Sequence, residues 1–92
     1  MPLDEETRKE VEKRIRRSVM FQELFRGTGE EVLDEINMFA GMKNDTFDKD
    51  PYEHAYNAGR RSVAIFINNV INQNVKEVRE ALKEAAKGDS NA

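Results

Sequence analysis

Between Pro51 and Lys87 the chain has one glycine, Gly59, and no further proline, and its apolar and small residues recur at helical spacing. Tyr52, Tyr56, Gly59, Val63, Phe66 and Val70 follow one another in steps of four and three, a heptad-like seam with Ile67 and Ile71 on one flank. Beyond Ile71 the seam passes to Val75, Val78 and Leu82, and Gly88 is the expected terminator. As one helix the segment would be about 55 Å long, longer than anything else in a chain of 92 residues could cover. The run Asn68-Asn69-Val70-Ile71-Asn72-Gln73-Asn74 is rich in weak helix formers. Either the helix kinks there or its tail packs on another subunit.

The start of this helix is the clearest signal in the chain: Asp50 as N-cap, Pro51 at the first helical position, and Glu53 completing an Asp-x-x-Glu capping box. Upstream, residues from Leu3 to Arg26 read as a first helix opened by Asp4, with Val11 and Ile15 alone in its first half. Its second half, from Val19 to Phe25, is apolar on more than one side and is expected to be buried, leaving the first half to project or fray. Gly27 then stops the helix, and Thr28 with Glu31 makes a candidate capping box for a second helix over residues 29–40. Val32, Leu33, Ile36 and Phe39 are its expected inward stripe, and Gly41 closes it. So short a link predicts that the first two helices form a tight αα-hairpin or corner. Residues 41–50 read as a loop, with Phe47 pinning it to the core.

The expected fold is therefore all-α: an αα-hairpin plus a long third helix, straight or kinked, in a single domain over 1–92 with its compact core at about 18–71. A chain this short buries only about 60% of its unfolded surface, so a partner or self-association would stabilise it. With no cysteine and one histidine, His54, a disulfide framework and a structural zinc are not expected. The charged N-terminus and the lack of a long apolar run lead to the expectation of a soluble, intracellular protein without membrane contact.

The net charge of −3 is unevenly placed: residues 1–26 sum to +1, residues 27–58 to −6 and residues 59–92 to +2. An acidic middle between basic ends suits complementarity within the chain or between subunits better than nucleic-acid binding, which needs a coherent basic face. Arg14, Arg16 and Arg17 form a basic cluster, but Glu10 and Glu12 lie within a turn of it.

Candidate sites are weighed against simpler roles. Asp45, Asp48, Asp50 and Glu53 are a possible cation cluster, but an EF-hand register starting at Asp48 would put Glu53 where the turning glycine belongs. Capping accounts for these residues better. His54 beside Glu53 has no nucleophile to serve, and Gly27-x-Gly29 lacks the strand and third glycine of a phosphate loop. No nucleophile, base and oxyanion donor can be assembled, so no catalysis and no cofactor are expected. Gly59 costs about 1 kcal/mol in mid-helix, which a close helix approach would explain. Its neighbours Arg60 and Arg61 are expected to pair with Glu30, Glu31, Asp34 or Glu35, or to reach a partner's acidic or phosphate group.

Three blocks carry a resemblance. They are Phe21-x-x-Leu24-Phe25-x-x-x-Gly29-x-x-Val32-Leu33, then Phe47 to Pro51, then Ala55-x-x-x-Gly59-Arg60-Arg61-Ser62-Val63-x-x-Phe66-Ile67. Together, over roughly residues 18–71, they resemble a family of short tailed-phage and prophage proteins named after a small gene product of a Bordetella podophage. The chain departs from it at Glu30-Glu31, where basic residues often follow the glycine, and this weakens a phosphate-binding reading there. The resemblance implies a phage origin and a helical fold and supplies no activity. The expected role is that of a minor virion component or assembly factor, in the virion or the host cytoplasm, docking or self-associating through Val75, Val78 and Leu82. The alternative is a small regulatory or host-directed binding module that engages a basic surface through its acidic middle.

Overall fold

In the computed structural model, which describes residues 4–44 and 47–90, the chain forms four helices: α1 (Glu5–Leu24), α2 (Thr28–Phe39), α3 (Pro51–Ile71) and α4 (Val75–Ser90). Among the described residues there is no strand. Asp45 of the possible cation cluster lies outside the described residues.

Most helix ends are set by local hydrogen bonds. Asp4 Oδ1 accepts the Thr7 N–H at 2.7 Å and caps α1. That amide, followed by the Thr7 hydroxyl, stabilises the Asp4 carboxylate and lowers its pKa from the ordinary 3.8. The cap therefore acts in full above the ordinary carboxylate range and is lost as pH falls through the lowered value. The Thr7 amide resonance is expected to titrate with a midpoint below 3.8 as the first turn of α1 loosens. A midpoint at or above the ordinary value would show that the cap is not formed.

At the end of α2, Gly41 takes a φ of 69° while its N–H bonds Met38 O and the Met42 N–H bonds Asn37 O, the Schellman pair that satisfies the last carbonyls. At the start of α3, Asp50 Oδ1 accepts the Tyr52 N–H at 2.8 Å, with Pro51 in the first turn. The reciprocal half of the expected capping box is made differently: the Asp50 N–H goes to Asp48 Oδ1 at 2.9 Å, and Glu53 is not used. The expected box at Thr28 does not form. Thr28 is already helical, and Gly27, at φ 60°, is the N-cap with no side-chain bond.

The long third helix is two helices. It breaks over residues 72–74, within the asparagine-rich run, and asparagines serve both sides of the break. The Asn72 N–H bonds Asn68 O to end α3, and Asn74 Oδ1 accepts the Glu77 N–H at 3.0 Å to start α4. Gln22 on α1 clamps the joint, its Nε2 donating to Ile71 O at 2.9 Å and to Gln73 O at 3.0 Å. With its start held near the C-terminal end of α1, α4 returns along that helix. The first half of α1 thus gains a partner and does not project: Val11 is half-buried and Ile15 buried. α4 continues through Gly88 to Ser90, so the expected stop at Gly88 is not made.

α1 packs on α3 and α4, and α2 packs on α3. The expected α1–α2 hairpin does not form, because the turn at residues 25–27 sends α2 away to lie on α3. Among the described residues the buried set is small: Ile15, Ser18, Ala40, Ala64 and Val70. Asn68 adds a polar tie, its Nδ2 donating to Asn37 Oδ1 at 2.8 Å across α2 and α3 and to Ala64 O at 2.7 Å.

Candidate interaction surface

The inward face of α3 is not its most apolar one. Asn57, Arg60, Arg61, Ala64, Ile67, Asn68 and Ile71 are the half-buried or buried positions and lie on one side of the helix. The seam of Tyr52, Tyr56, Gly59, Val63 and Phe66 lies on the adjacent side and is largely exposed; Val70, at its end, is buried, and Phe66 rests one edge on α1. Tyr52 is 86% exposed, Tyr56 and Val63 each 60%, and Phe66 48%. The inward face carries Ile67 and Ile71 at its C-terminal end and no aromatic ring, and Ala64, without bulk, lets the neighbouring helices approach.

Gly59 therefore does not accommodate α1 or α2. It is exposed, and a Cβ built on it would meet nothing within 4 Å. The close approach expected there has no partner among the described residues. Gly29 is the glycine that a short approach requires: a Cβ on it would collide with the Leu24 carbonyl oxygen, where the chain turns from α1 into α2.

Arg60 and Arg61 do not find the acids of α2. Arg60 sits with its guanidinium carbon 5.4 Å from the ring centres of both Phe39 and Tyr56, and one terminal nitrogen reaches Asn57 Oδ1 at 3.4 Å. Stacking between two rings is favourable for a planar, weakly hydrated cation. The Nε atoms of Arg60 and Arg61 are both buried and without a hydrogen-bond partner. Among the described residues the ion pairs are Arg8–Glu12 and Glu84–Lys87, each within one helix. Glu30, Glu31, Asp34 and Glu35 face solvent.

The remaining predicted positions divide between inside and outside. On α2 the inward stripe is Gly29, Leu33, Ile36, Asn37 and Ala40; Val32 is half exposed, and Phe39 turns outward to Arg60. On α1, Phe21 and Phe25 are half-buried, and Phe21 meets Phe25 and Phe66 edge to face with ring centres 6.4 and 6.2 Å apart. Met20 and Leu24 of the same helix face solvent, so its second half is not buried all round. Arg17 lies 5.3 Å from the Phe66 ring centre. Val75, Val78 and Leu82 are half-buried at steps of three and four, on the side of α4 that serves α1. They are packing residues within the chain and not the open surface expected of them. Phe47 is not pinned to the core either: it is 71% exposed and meets His54 edge to face at 6.1 Å.

The surface that remains is large for so small a chain. Its accessible area of 7482 Å² compares with about 5,500 Å² for a compact monomer of this mass. The radius of gyration is 18.1 Å where about 12 Å is usual. The shape is a flat, open array of helices, 58 × 33 × 16 Å, in which most side chains have solvent on one side. The hollows are open and shallow; one of them, lined by Arg14, Arg17, Ser18, Phe66, Asn69, Val70 and Gln73, lies at the C-terminal end of the α3 stripe. Among the described residues no helix is long and apolar enough to cross a membrane.

No curated protein and no solved structure matches the chain. One family does, that described as Bbp19-like phage protein, over residues 16–85, which takes in the C-terminal part of α1, the two middle helices and most of α4. The match reaches beyond the aromatic and glycine blocks of residues 18–71 to include the folded-back helix. With the greater part of the chain matched, the protein belongs to the Bbp19-like phage protein family.

Proposed function

We propose that this phage protein is a non-enzymatic component, a minor virion protein or assembly factor, that works through protein–protein contacts made by the outer face of α3. The observation that carries this reading is the exposed stripe of Tyr52, Tyr56, Val63 and Phe66, centred on a glycine with open space above it. Contiguous apolar exposure of this kind marks interaction surfaces in soluble proteins. Aromatic residues and arginine are the side chains most enriched where such surfaces bind, and Arg60, at the edge of the stripe, joins Tyr56 to Phe39. The basic cluster on α1 gives less support to nucleic-acid binding, since Glu10 sits in the hollow lined by Lys13, Arg14, Arg16 and Arg17.

Mass spectrometry of purified particles of the encoding phage tests the reading. The chain is expected at a reproducible copy number in the particle or in assembly intermediates. Its absence from both would favour the second reading, a regulatory module acting in the infected cell. The exposed acids Glu30, Glu31, Asp34 and Glu35 on α2 favour that alternative, because no described side chain of this protein pairs with them.

A further inference from the structure

The exposed stripe of α3 is nearly symmetric about Gly59. Tyr52 lies seven residues before it and Phe66 seven after, while Tyr56 lies three before and Val63 four after. Such a pattern is self-complementary. If a second α3 crosses antiparallel at Gly59, each Tyr52 meets the other copy's Phe66, and each Tyr56 meets the other copy's Val63. The two glycines fall at the crossing, where the absence of Cβ lets the backbones approach. This is the isologous arrangement of a two-fold dimer, in which one patch serves both sides.

We infer that the occupant of this stripe is a second copy of the chain, docked antiparallel through α3 with Gly59 at the crossing point; the inference rests on the reading of the stripe as a protein-contact surface. Charge supports the same orientation. Asp48, Asp50 and Glu53 stand at the N-terminal end of α3, and Arg14 and Arg17 line the hollow beside Phe66 at its other end. A two-fold axis at Gly59 brings each acidic end to the other copy's arginines. A parallel pair would set like charges side by side.

The areas agree as well. The chain exposes about 2,000 Å² more than a compact monomer of its mass, and an ordinary stable interface covers about 800 Å² on each partner. One such interface fits on the excess. It also gives Gly59 a role: in the isolated chain this residue weakens α3 and accommodates nothing.

Sedimentation equilibrium of the unaltered chain, together with two variants and a cross-link, tests the proposal. The chain is expected to be a dimer that weakens as salt rises. Val63→Glu changes an exposed position, and Gly59→Leu fills open space that the single chain does not use, so both keep the helical circular dichroism. Each is expected to weaken the dimer by about tenfold or more. The chain has no cysteine, so Tyr56→Cys and Val63→Cys chains can be mixed and oxidised. A disulfide between position 56 of one chain and 63 of the other is expected. In antiparallel register two copies of position 56 are offset by about 9 Å along the axis and do not meet.

A strictly monomeric chain overturns the proposal, as does a dimer indifferent to Val63→Glu and Gly59→Leu, or one that links 56 to 56. These results are separate from the particle measurement. A monomer found in particles removes the second copy and leaves the assembly reading, whereas a dimer absent from particles does the reverse.

Discussion

Ala64→Phe is expected to remove a large share of the chain's stability, a loss of about 1 to 3 kcal/mol or more from a total that for a domain of this size starts near 5 kcal/mol. Ala64 is 0% exposed and sits in the middle of the inward face of α3, the helix on which both α1 and α2 pack. A phenyl ring there has no room unless α3 is pushed off its neighbours. That displacement would also strain the tie from Asn68 to Asn37, made one turn further on. Urea unfolding followed by far-UV circular dichroism measures the effect. Ala58→Phe is the control: the position is exposed on the same helix, and a change of no more than about 0.5 kcal/mol is expected. Equal stabilities for the two variants would mean that α3 turns a different face inward.

The second large effect comes from two glycines that helix propensity alone treats alike. Gly29→Ala and Gly59→Ala both exchange a glycine for alanine inside a helix, and propensity predicts that each gains about 1 kcal/mol. The structure separates them. At Gly29 a Cβ would collide with the Leu24 carbonyl oxygen, a backbone atom that cannot swing aside, in a turn already tied by the Gly29 N–H to Arg26 O at 3.0 Å. Opening that turn is expected to outweigh the propensity gain and to cost about 1 to 3 kcal/mol net. At Gly59 the Cβ enters open space, so Gly59→Ala is expected to stabilise the isolated chain by about 1 kcal/mol. The comparison belongs at chain concentrations low enough to separate any dimer, since the same Cβ would stand in the proposed crossing. Thermal or urea unfolding of both variants reads the two signs. A stabilising Gly29→Ala would show that the α1–α2 turn is looser than the geometry indicates.

Several features were legible in the residues because they depend on neighbours in the chain. The caps at Asp4 and Asp50, the proline start of α3 and the glycine stop after α2 are made by groups within a few residues of one another, so their chemistry is present before any helix meets another. The break after Ile71 was visible in the same way, as a run of weak helix formers with asparagines able to cap both sides. Three local readings nevertheless missed, the stop at Gly88 among them, since α4 runs on through it. The Thr28 box failed because the helix begins one residue early, at Thr28 itself, and the Glu53 bond was replaced because Asp48 reaches the Asp50 amide first. Each of these last two was a competition between neighbouring acceptors that spacing alone does not resolve.

Helicity, most of the helix starts, the stop after α2 and the membership of a phage family follow from the sequence by itself. The inward sides of the helices were decided by the tertiary structure. In α3 the aromatic stripe competes with a face of Asn57, Arg60, Arg61, Ala64, Ile67, Asn68 and Ile71, and periodicity favours the former. α1 and α2 pack against the latter, because Ala64 offers space and Asn68 finds an amide on α2, and this leaves the aromatic stripe and Gly59 in solvent. Likewise the apolar residues of α4 could have served a partner, and only the fold-back clamped by Gln22 assigns them to α1. Burial depends on which surfaces meet, and that is a property of the whole arrangement of helices that no single helix carries in its own spacing.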